Sequence, residues 1–168
     1  PVGSDVKDKY VSDWSKEFDW EQIKSELKKL VTKATSQNNI LKYLTHPVRF
    51  EFLASLAIKK RYPNITVIPN YPIDDTGFPT STAPGQGNTG DIEIYENANS
   101  SIIEVTMTRG RQQYIAEAWP IVRHTEEFHK KGNSDKCIFI APEIYTDMQR
   151  HLDISVPNAD PPINAKIN

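Results

Sequence analysis

The chain has 168 residues, of which 38% are hydrophobic and 25% are charged, and its formal net charge at pH 7 is −2. This length and composition are typical of one globular domain that is long enough to bury a core. The single cysteine, Cys137, excludes an internal disulfide framework, and no apolar run approaches the ~20 residues of a membrane span, so we expect a cytoplasmic protein without a membrane partner.

Two helices are predicted in the first third of the chain. Residues 1–18 are polar with scattered aromatic side chains and have no clear period, so we assign no element there. Apolar residues at helical spacing predict one helix over about 20–34 and another over about 48–61, beginning just after Pro47. Glu51 lies within the second helix, which is mostly apolar. It is either an exposed, ion-paired residue or a carboxylate that faces the hairpin described next.

A β-hairpin is predicted after a short strand and a long loop. The strand covers about 65–69, and the loop, over 69–90, is rich in proline and glycine; it leads directly into Asp91, so we expect it to lie over that residue. Beyond it, apolar and polar residues alternate, Asn97-Ala98-Asn99 supplies a turn, and a second apolar strand follows. A reversal near Ala98 places Asp91 opposite Glu104 and Val105.

A third helix is predicted over about 109–130, with Thr108 as its N-cap and a kink or break at Pro120. Helical spacing divides it into a polar face with Gln113, Glu117 and His124, and an apolar face. The apolar face consists of Tyr114, Ile115, Ala118, Trp119, Ile121 and Val122.

The end of the chain completes a mixed pattern of helices and strands. An apolar strand is predicted over about 137–141 and a short helix over about 145–152, and the proline-rich residues 153–168 are expected to form a loose tail. This order predicts an α/β fold with a mixed β-sheet flanked by helices. We interpret the whole chain as a single domain with a core over about 47–142 and an N-terminal helical extension over 1–46.

The predicted hairpin brings two acidic side chains together. Asp91 and Glu104 repel each other unless a cation lies between them, and a hard ion such as Mg²⁺, with Mn²⁺ as an alternative, prefers oxygen ligands. The backbone carbonyl of Val105 is a third oxygen ligand. Divalent ions held by carboxylates can cleave phosphodiester bonds, since they neutralise the phosphoryl oxygens and activate water. Glu51 would bind a second ion or a metal-bound water, and His124 would act as general base or position the water or phosphate.

The helix, hairpin, helix and strand over about 47–142 resemble the PD-(D/E)XK nuclease superfamily. The segment Glu104-Val105-Thr106-Met107-Thr108-Arg109-Gly110-Arg111-Gln112-Gln113, with a histidine on the following helix, resembles the AlwI-type family of type IIS restriction and nicking endonucleases. This resemblance implies a restriction-endonuclease-like core and Mg²⁺-dependent cleavage of double-stranded DNA beside an asymmetric recognition site. It implies catalytic roles for Glu51, Asp91, Glu104 and His124.

The chain departs from the superfamily pattern in two places. Thr106 stands where the superfamily has a lysine two residues after the second acid, and no proline precedes Asp91. His124 is our candidate to replace the missing cation, with Arg109 and Gln113 behind it. Glu117 is a further candidate site residue, the alternative being a solvated helix position.

No DNA-recognition element is evident in the sequence, because helix-turn-helix, zinc-ligand and basic-region patterns are all missing. We therefore expect a separate domain or subunit to place this domain on its target, and a single site to cut one strand. Two alternatives remain open. One is a structure-specific nuclease of the same superfamily, and the other is a catalytically degenerate nuclease fold that serves as a dimerisation module.

Overall fold

The computed structural model describes residues 3–80, 87, 89–134 and 136–155. Within these residues the chain forms five α-helices, four β-strands and a single 3₁₀ turn at Leu41–Tyr43. Their bounds are α1 Ser4–Glu17, α2 Trp20–Val31, α3 His46–Arg61, β1 Thr66–Pro69, β2 Ile92–Glu96, β3 Asn99–Val105, α4 Gly110–Lys130, β4 Cys137–Ile140 and α5 Thr146–Ser155.

The four strands form one mixed sheet in the order β1-β2-β3-β4. β1 pairs antiparallel with β2, β2 pairs antiparallel with β3, and β3 pairs parallel with β4. Asn97 adopts a left-handed backbone conformation, with φ 53°, in the turn between β2 and β3. The mixed sheet and its flanking helices confirm the α/β fold expected from the sequence.

Helices cover both faces of the sheet. Neighbouring residues of β3 point to opposite faces, and each face has an apolar side chain to bury. Ile103 packs into a core with α1, α2 and α3, and it is accompanied by Val67 and Ile92 from the neighbouring strands. Ile102 packs into a second core with apolar residues of α4, β4 and α5. Cys137 belongs to this second core and is 1% exposed.

Helix α1 lies where the sequence pattern indicated no element. Its buried positions include Val11 and Ser15, and it packs on α3 and β1. Its inward face is partly polar, because Lys7 donates to the backbone carbonyls of Pro69 and Tyr71. A helix whose buried face includes such satisfied polar groups lacks the apolar period on which the prediction depended.

Helix α4 buries only part of its predicted apolar face: Ala118, Ile121 and Val122 are buried in the second core. Trp119 is 65% exposed and Ile115 is 60% exposed, whereas Gln113, predicted on the polar face, is fully buried. The helix runs unbroken through Pro120, and Arg109 rather than Thr108 occupies its N-cap without a side-chain hydrogen bond. Near the start of the helix, the buried Gln113 bonds to backbone groups, so a polar side chain takes an inward position there.

Two predicted irregular segments are partly described. The loop after β1 is held against α1, since Tyr10 and Trp14 donate to the carbonyls of Asp75 and Thr76. Residues 81–86 and 88, on which its covering of Asp91 depends, lie outside the described residues. Helix α5 extends to Ser155, so the predicted tail begins too early, and residues 156–168 also lie outside them. None of the described helices is long and apolar enough to span a membrane.

Candidate active site

Asp91, which directly precedes β2, and Glu104, near the end of β3, lie together as the hairpin pattern predicts. Because Ile92 pairs with Ile103, Asp91 falls opposite Glu104 at one end of the sheet. One carboxylate oxygen of Asp91 accepts the backbone N–H of Val105 at 2.8 Å. Burial raises the pKa of Asp91 to about 6, although the Val105 hydrogen bond opposes this rise.

Glu104 is the most deeply buried acid of the site, with 5% of its surface exposed. Burial raises its pKa well above the usual range, and the negative charges of Asp91, Glu117 and Glu51 add to the effect. The Asp91 and Glu104 carboxyl groups lie within hydrogen-bonding reach of each other. This site therefore retains a proton, or requires a cation, near neutral pH.

His124, on α4, contacts the Glu104 carboxyl group directly. Its Nδ1 atom lies 2.9 Å from Glu104 Oε1, and 16% of the His124 side chain is exposed. Burial, followed by the positive charge of Arg123, lowers the pKa of His124. The imidazole is therefore neutral near pH 7, and its hydrogen bond fixes the ring beside the acidic pair.

Glu51 approaches the same acids from α3. Burial raises its pKa to about 8, and the charge of Asp91 is the second cause. The helix is anchored below the site, since Phe52 and Leu53 are fully buried in the core shared with β1 and β2. Of the two interpretations of Glu51, the structure favours a carboxylate that faces the hairpin.

Glu117, on α4, is held by two threonine side chains from the segment after β3. Its Oε1 atom accepts from Thr106 Oγ1 at 2.7 Å and from Thr108 Oγ1 at 3.3 Å. Its negative charge raises the pKa values of both Asp91 and Glu104. Glu117 is therefore electrostatically part of the acidic cluster and not a remote solvated residue.

Gln113 and Arg109 contact backbone groups. Gln113 Nε2 donates to the carbonyls of Thr108 at 3.0 Å and Glu143 at 2.8 Å, and its Oε1 accepts the N–H of Tyr145 at 2.8 Å. Arg109 donates to the carbonyl of Val31 at the end of α2. The structure thus places both side chains where they join the start of α4 to neighbouring segments.

The donor groups fit a hard divalent ion in chemistry and in number. Within the described ranges, no three histidine, cysteine, aspartate or glutamate side chains converge into a ready metal site. Mg²⁺, however, is usually held by one or two carboxylates and keeps several waters. The paired carboxyl groups of Asp91 and Glu104, with their raised pKa values, meet that requirement.

A family model described as AlwI restriction endonuclease matches residues 5–166. The chain belongs to this AlwI family. Among solved structures, the AlwI-family chain is similar to the small subunit of the heterodimeric restriction endonuclease R.BspD6I. The identity is 24% and the TM-score is 0.60, over 94% of this chain and 70% of the other. At this identity the likeness establishes the fold. No functionally curated protein matches the chain.

Two features of the candidate site are not evident from the sequence pattern. Thr108 was assigned to a helix cap, whereas its hydroxyl contacts Glu117; two threonines at alternate positions after a strand are a weak signal for such a contact. Gly90 was not singled out. A Cβ atom there would lie 3.1 Å from the Cβ of Ile102 and 3.2 Å from Glu104 Oε1. A lone glycine before a strand indicates such a close approach.

Proposed function

We propose that this chain is the Mg²⁺-dependent DNA-cleaving subunit or domain of a type IIS restriction or nicking enzyme. It hydrolyses one phosphodiester bond in one strand of double-stranded DNA, and another domain or subunit recognises the sequence. The observation that carries the proposal is the acidic pair Asp91–Glu104, which has Glu51, Glu117 and His124 around it. Membership of the AlwI restriction endonuclease family supports nuclease activity. We also propose that the domain belongs to the PD-(D/E)XK nuclease superfamily.

Asp91, Glu104 and the carbonyl of Val105 would hold the ion. A bound divalent ion neutralises charge on the phosphoryl oxygens and activates water. The Val105 N–H orients one Asp91 oxygen, so that the other is left for the ion. Glu51 enters from the opposite helix layer and, with its pKa near neutrality, accepts or returns a proton at the edge of the site.

His124 is suited to handle the proton of the attacking water. Its imidazole is neutral because burial lowers its pKa, and Nδ1 is engaged by Glu104. When Nδ1–H donates to Glu104, Nε2 is unprotonated and can accept a proton from a water. The hydrogen bond to Glu104 keeps the ring oriented, as a base must be before it acts.

Delivery by a partner agrees with the charge of the chain. A net charge of −2 offers little general attraction for DNA, whose binding depends on neutralising phosphates. The similar small subunit belongs to a heterodimeric enzyme. By the same logic, the chain alone would cut weakly, and a double-strand break would need a second active site.

The test is a nicking assay on supercoiled plasmid with the full chain, alone and fused to a DNA-binding domain of known specificity. We expect the fusion to produce open circles with Mg²⁺, cut beside the bound site, and nothing in EDTA. Asp91→Asn in the fusion should lower the rate at least ~100-fold, because the acid that holds the ion is lost. Asp5→Asn, at an exposed position on α1, is the matched control and should cut normally.

Each other outcome points to a different conclusion. Cleavage in EDTA, or full activity of Asp91→Asn, would contradict the proposed centre. Rapid sequence-specific cutting by the chain alone would overturn delivery by a partner. Preference for branched over linear DNA would support the structure-specific alternative, and a folded, inactive fusion would support the degenerate dimerisation module.

A further inference from the structure

The position that carries a lysine in the superfamily pattern carries a buried threonine here. Thr106 follows the last residue of β3, two positions after Glu104, and only 7% of its surface is exposed. A threonine side chain has no charge, so it cannot act as the missing cation. It has a hydroxyl group, however, which donates one hydrogen bond and accepts others. The contacts of this hydroxyl indicate what the position does instead.

The hydroxyl of Thr106 lies at the centre of a small hydrogen-bond network. Its Oγ1 atom is 2.7 Å from Glu117 Oε1, 2.8 Å from Thr108 Oγ1 and 3.1 Å from the backbone nitrogen of Thr108. A carboxylate only accepts, so the Thr106 proton goes to Glu117. A lone pair of Thr106 Oγ1 then accepts the backbone N–H of Thr108. The hydroxyl of Thr108 also reaches the same glutamate oxygen.

This network acts against electrostatic repulsion. Glu117 is close enough to Asp91 and Glu104 for its charge to raise both of their pKa values, so the same repulsion pushes Glu117 away. The glutamate side chain has several rotatable bonds, and 117 is a partly exposed position near the middle of α4 from which it could turn toward water. Two hydroxyl donors on one oxygen offset this tendency.

We infer that Thr106 and Thr108 are positioning residues that hold the Glu117 carboxylate at the active site. The inference rests on the proposed nuclease function and adds to it the residues that position Glu117. The segment after β3 supplies hydroxyl groups that bring in a further acid, in place of a lysine that would bring in a positive charge. Thr106 makes the shorter hydrogen bond, and its removal also leaves the Thr108 N–H without its acceptor. Thr106 is therefore the principal positioning residue.

The test compares two substitutions at Thr106 in the DNA-binding fusion. Thr106→Val keeps the shape and loses the hydroxyl, while Thr106→Ser keeps the hydroxyl. We expect the valine variant to lower kcat by about 10- to 100-fold, the effect of losing one hydrogen bond to a charged group, with little change in KM. The serine variant should stay within about threefold of the wild type, since it keeps that hydrogen bond.

A double-mutant cycle separates positioning from a direct role of Thr106. If Thr106 acts only through Glu117, then Thr106→Val should slow Glu117→Gln no further, because the group it positions is already lost. Multiplied defects in the double variant would overturn the inference. Thr125→Val, at another buried threonine, whose hydroxyl donates to the carbonyl of Ile121 in its own helix, gives the change in Tm expected from loss of a buried hydroxyl.

A crystal structure of Thr106→Val gives a readout that does not depend on cleavage. We expect the Glu117 carboxylate to have left its place beside residue 106, and an unmoved carboxylate would overturn the inference. Failure of the proposed function can be told apart from failure of this inference. In that case the wild-type fusion would be inactive, while the Glu117 carboxylate would still move in the Thr106→Val structure. An active wild type with an equally active Thr106→Val variant would refute only the positioning role.

Discussion

Replacing Glu51 with glutamine should stabilise the ion-free protein and, at the same time, slow cleavage. The substitution keeps the size of the side chain and removes its charge. In the folded chain, burial and the nearby Asp91 raise the pKa of Glu51 from 4.5 to about 8. The carboxyl group is thus easier to ionise in the unfolded chain than in the folded one. Its ionisation works against folding.

The size of this effect follows from linkage. Each unit of pKa difference corresponds to about 1.4 kcal/mol. Between pH 4.5 and pH 7 the carboxyl group is ionised in the unfolded chain but mostly protonated in the folded chain. Over this range of about 2.5 pH units the free energy of unfolding falls by roughly 3 kcal/mol. The contribution of protonated Glu51 to the stability of the folded chain is fully present below pH 4.5, declines as the pH rises, and is lost above about pH 8. Removing the charge should raise Tm by roughly 5–10 °C at neutral pH.

The assay is urea and thermal unfolding in EDTA at several pH values between 4.5 and 8.5, with nicking by the fusion measured in parallel. Glu51→Gln should match the wild type at low pH and exceed it increasingly as the pH rises, while its nicking rate falls. Glu17→Gln, at an exposed position on α1, is the control and should follow the wild-type curve. A neutral or destabilising effect at pH 7, or a gain independent of pH, would refute the reasoning.

Three further substitutions test other parts of the structure. His124→Asn should lower kcat about 100-fold with little change in KM, since it removes the proton-handling ring; single-turnover nicking measures this, and an unchanged rate would exclude the role. Gly90→Ala places a Cβ 3.2 Å from Glu104 Oε1, so it should lower the nicking rate at least ~10-fold while it lowers the free energy of unfolding by only about 1–2 kcal/mol. A nicking rate equal to that of the wild type would show that the carboxyl group adapts. Lys59→Met removes the 2.8 Å ion pair with Asp8 and should destabilise the protein by about 2–4 kcal/mol in urea unfolding, with normal nicking by the folded fraction; unchanged stability would contradict the role of this pair.

The hairpin could be predicted from the sequence because its signals are local. Alternating side chains specify the strands, and Asn97 provides the left-handed residue that the turn requires. Once the turn is placed, the pairing of Asp91 with Glu104 follows from the period of two along each strand. The pair at the centre of the candidate site was therefore predictable from one short segment.

The surroundings of that pair were less predictable because they depend on buried polar groups. Gln113 is fully buried, with three hydrogen bonds to backbone, and so an apolar–polar division of α4 assigns it to the wrong face. Helix α1 was missed for the same reason, since Lys7 contributes to its inward side. Hydropathy measures what a side chain prefers in isolation, whereas a complete set of hydrogen bonds allows a polar side chain to be buried.

The acidic residues come from four separate pieces of the chain: α3, the residue that precedes β2, the end of β3 and α4. Segments far apart in the sequence meet late in folding, because each long loop must close before its contacts form. A chain still emerging from the ribosome, or one whose α4 has come away from the sheet, holds at most some of these acids in place. Under the proposed function, competence to cut DNA arises only in the fully assembled domain, and an unfinished copy of the chain is inactive.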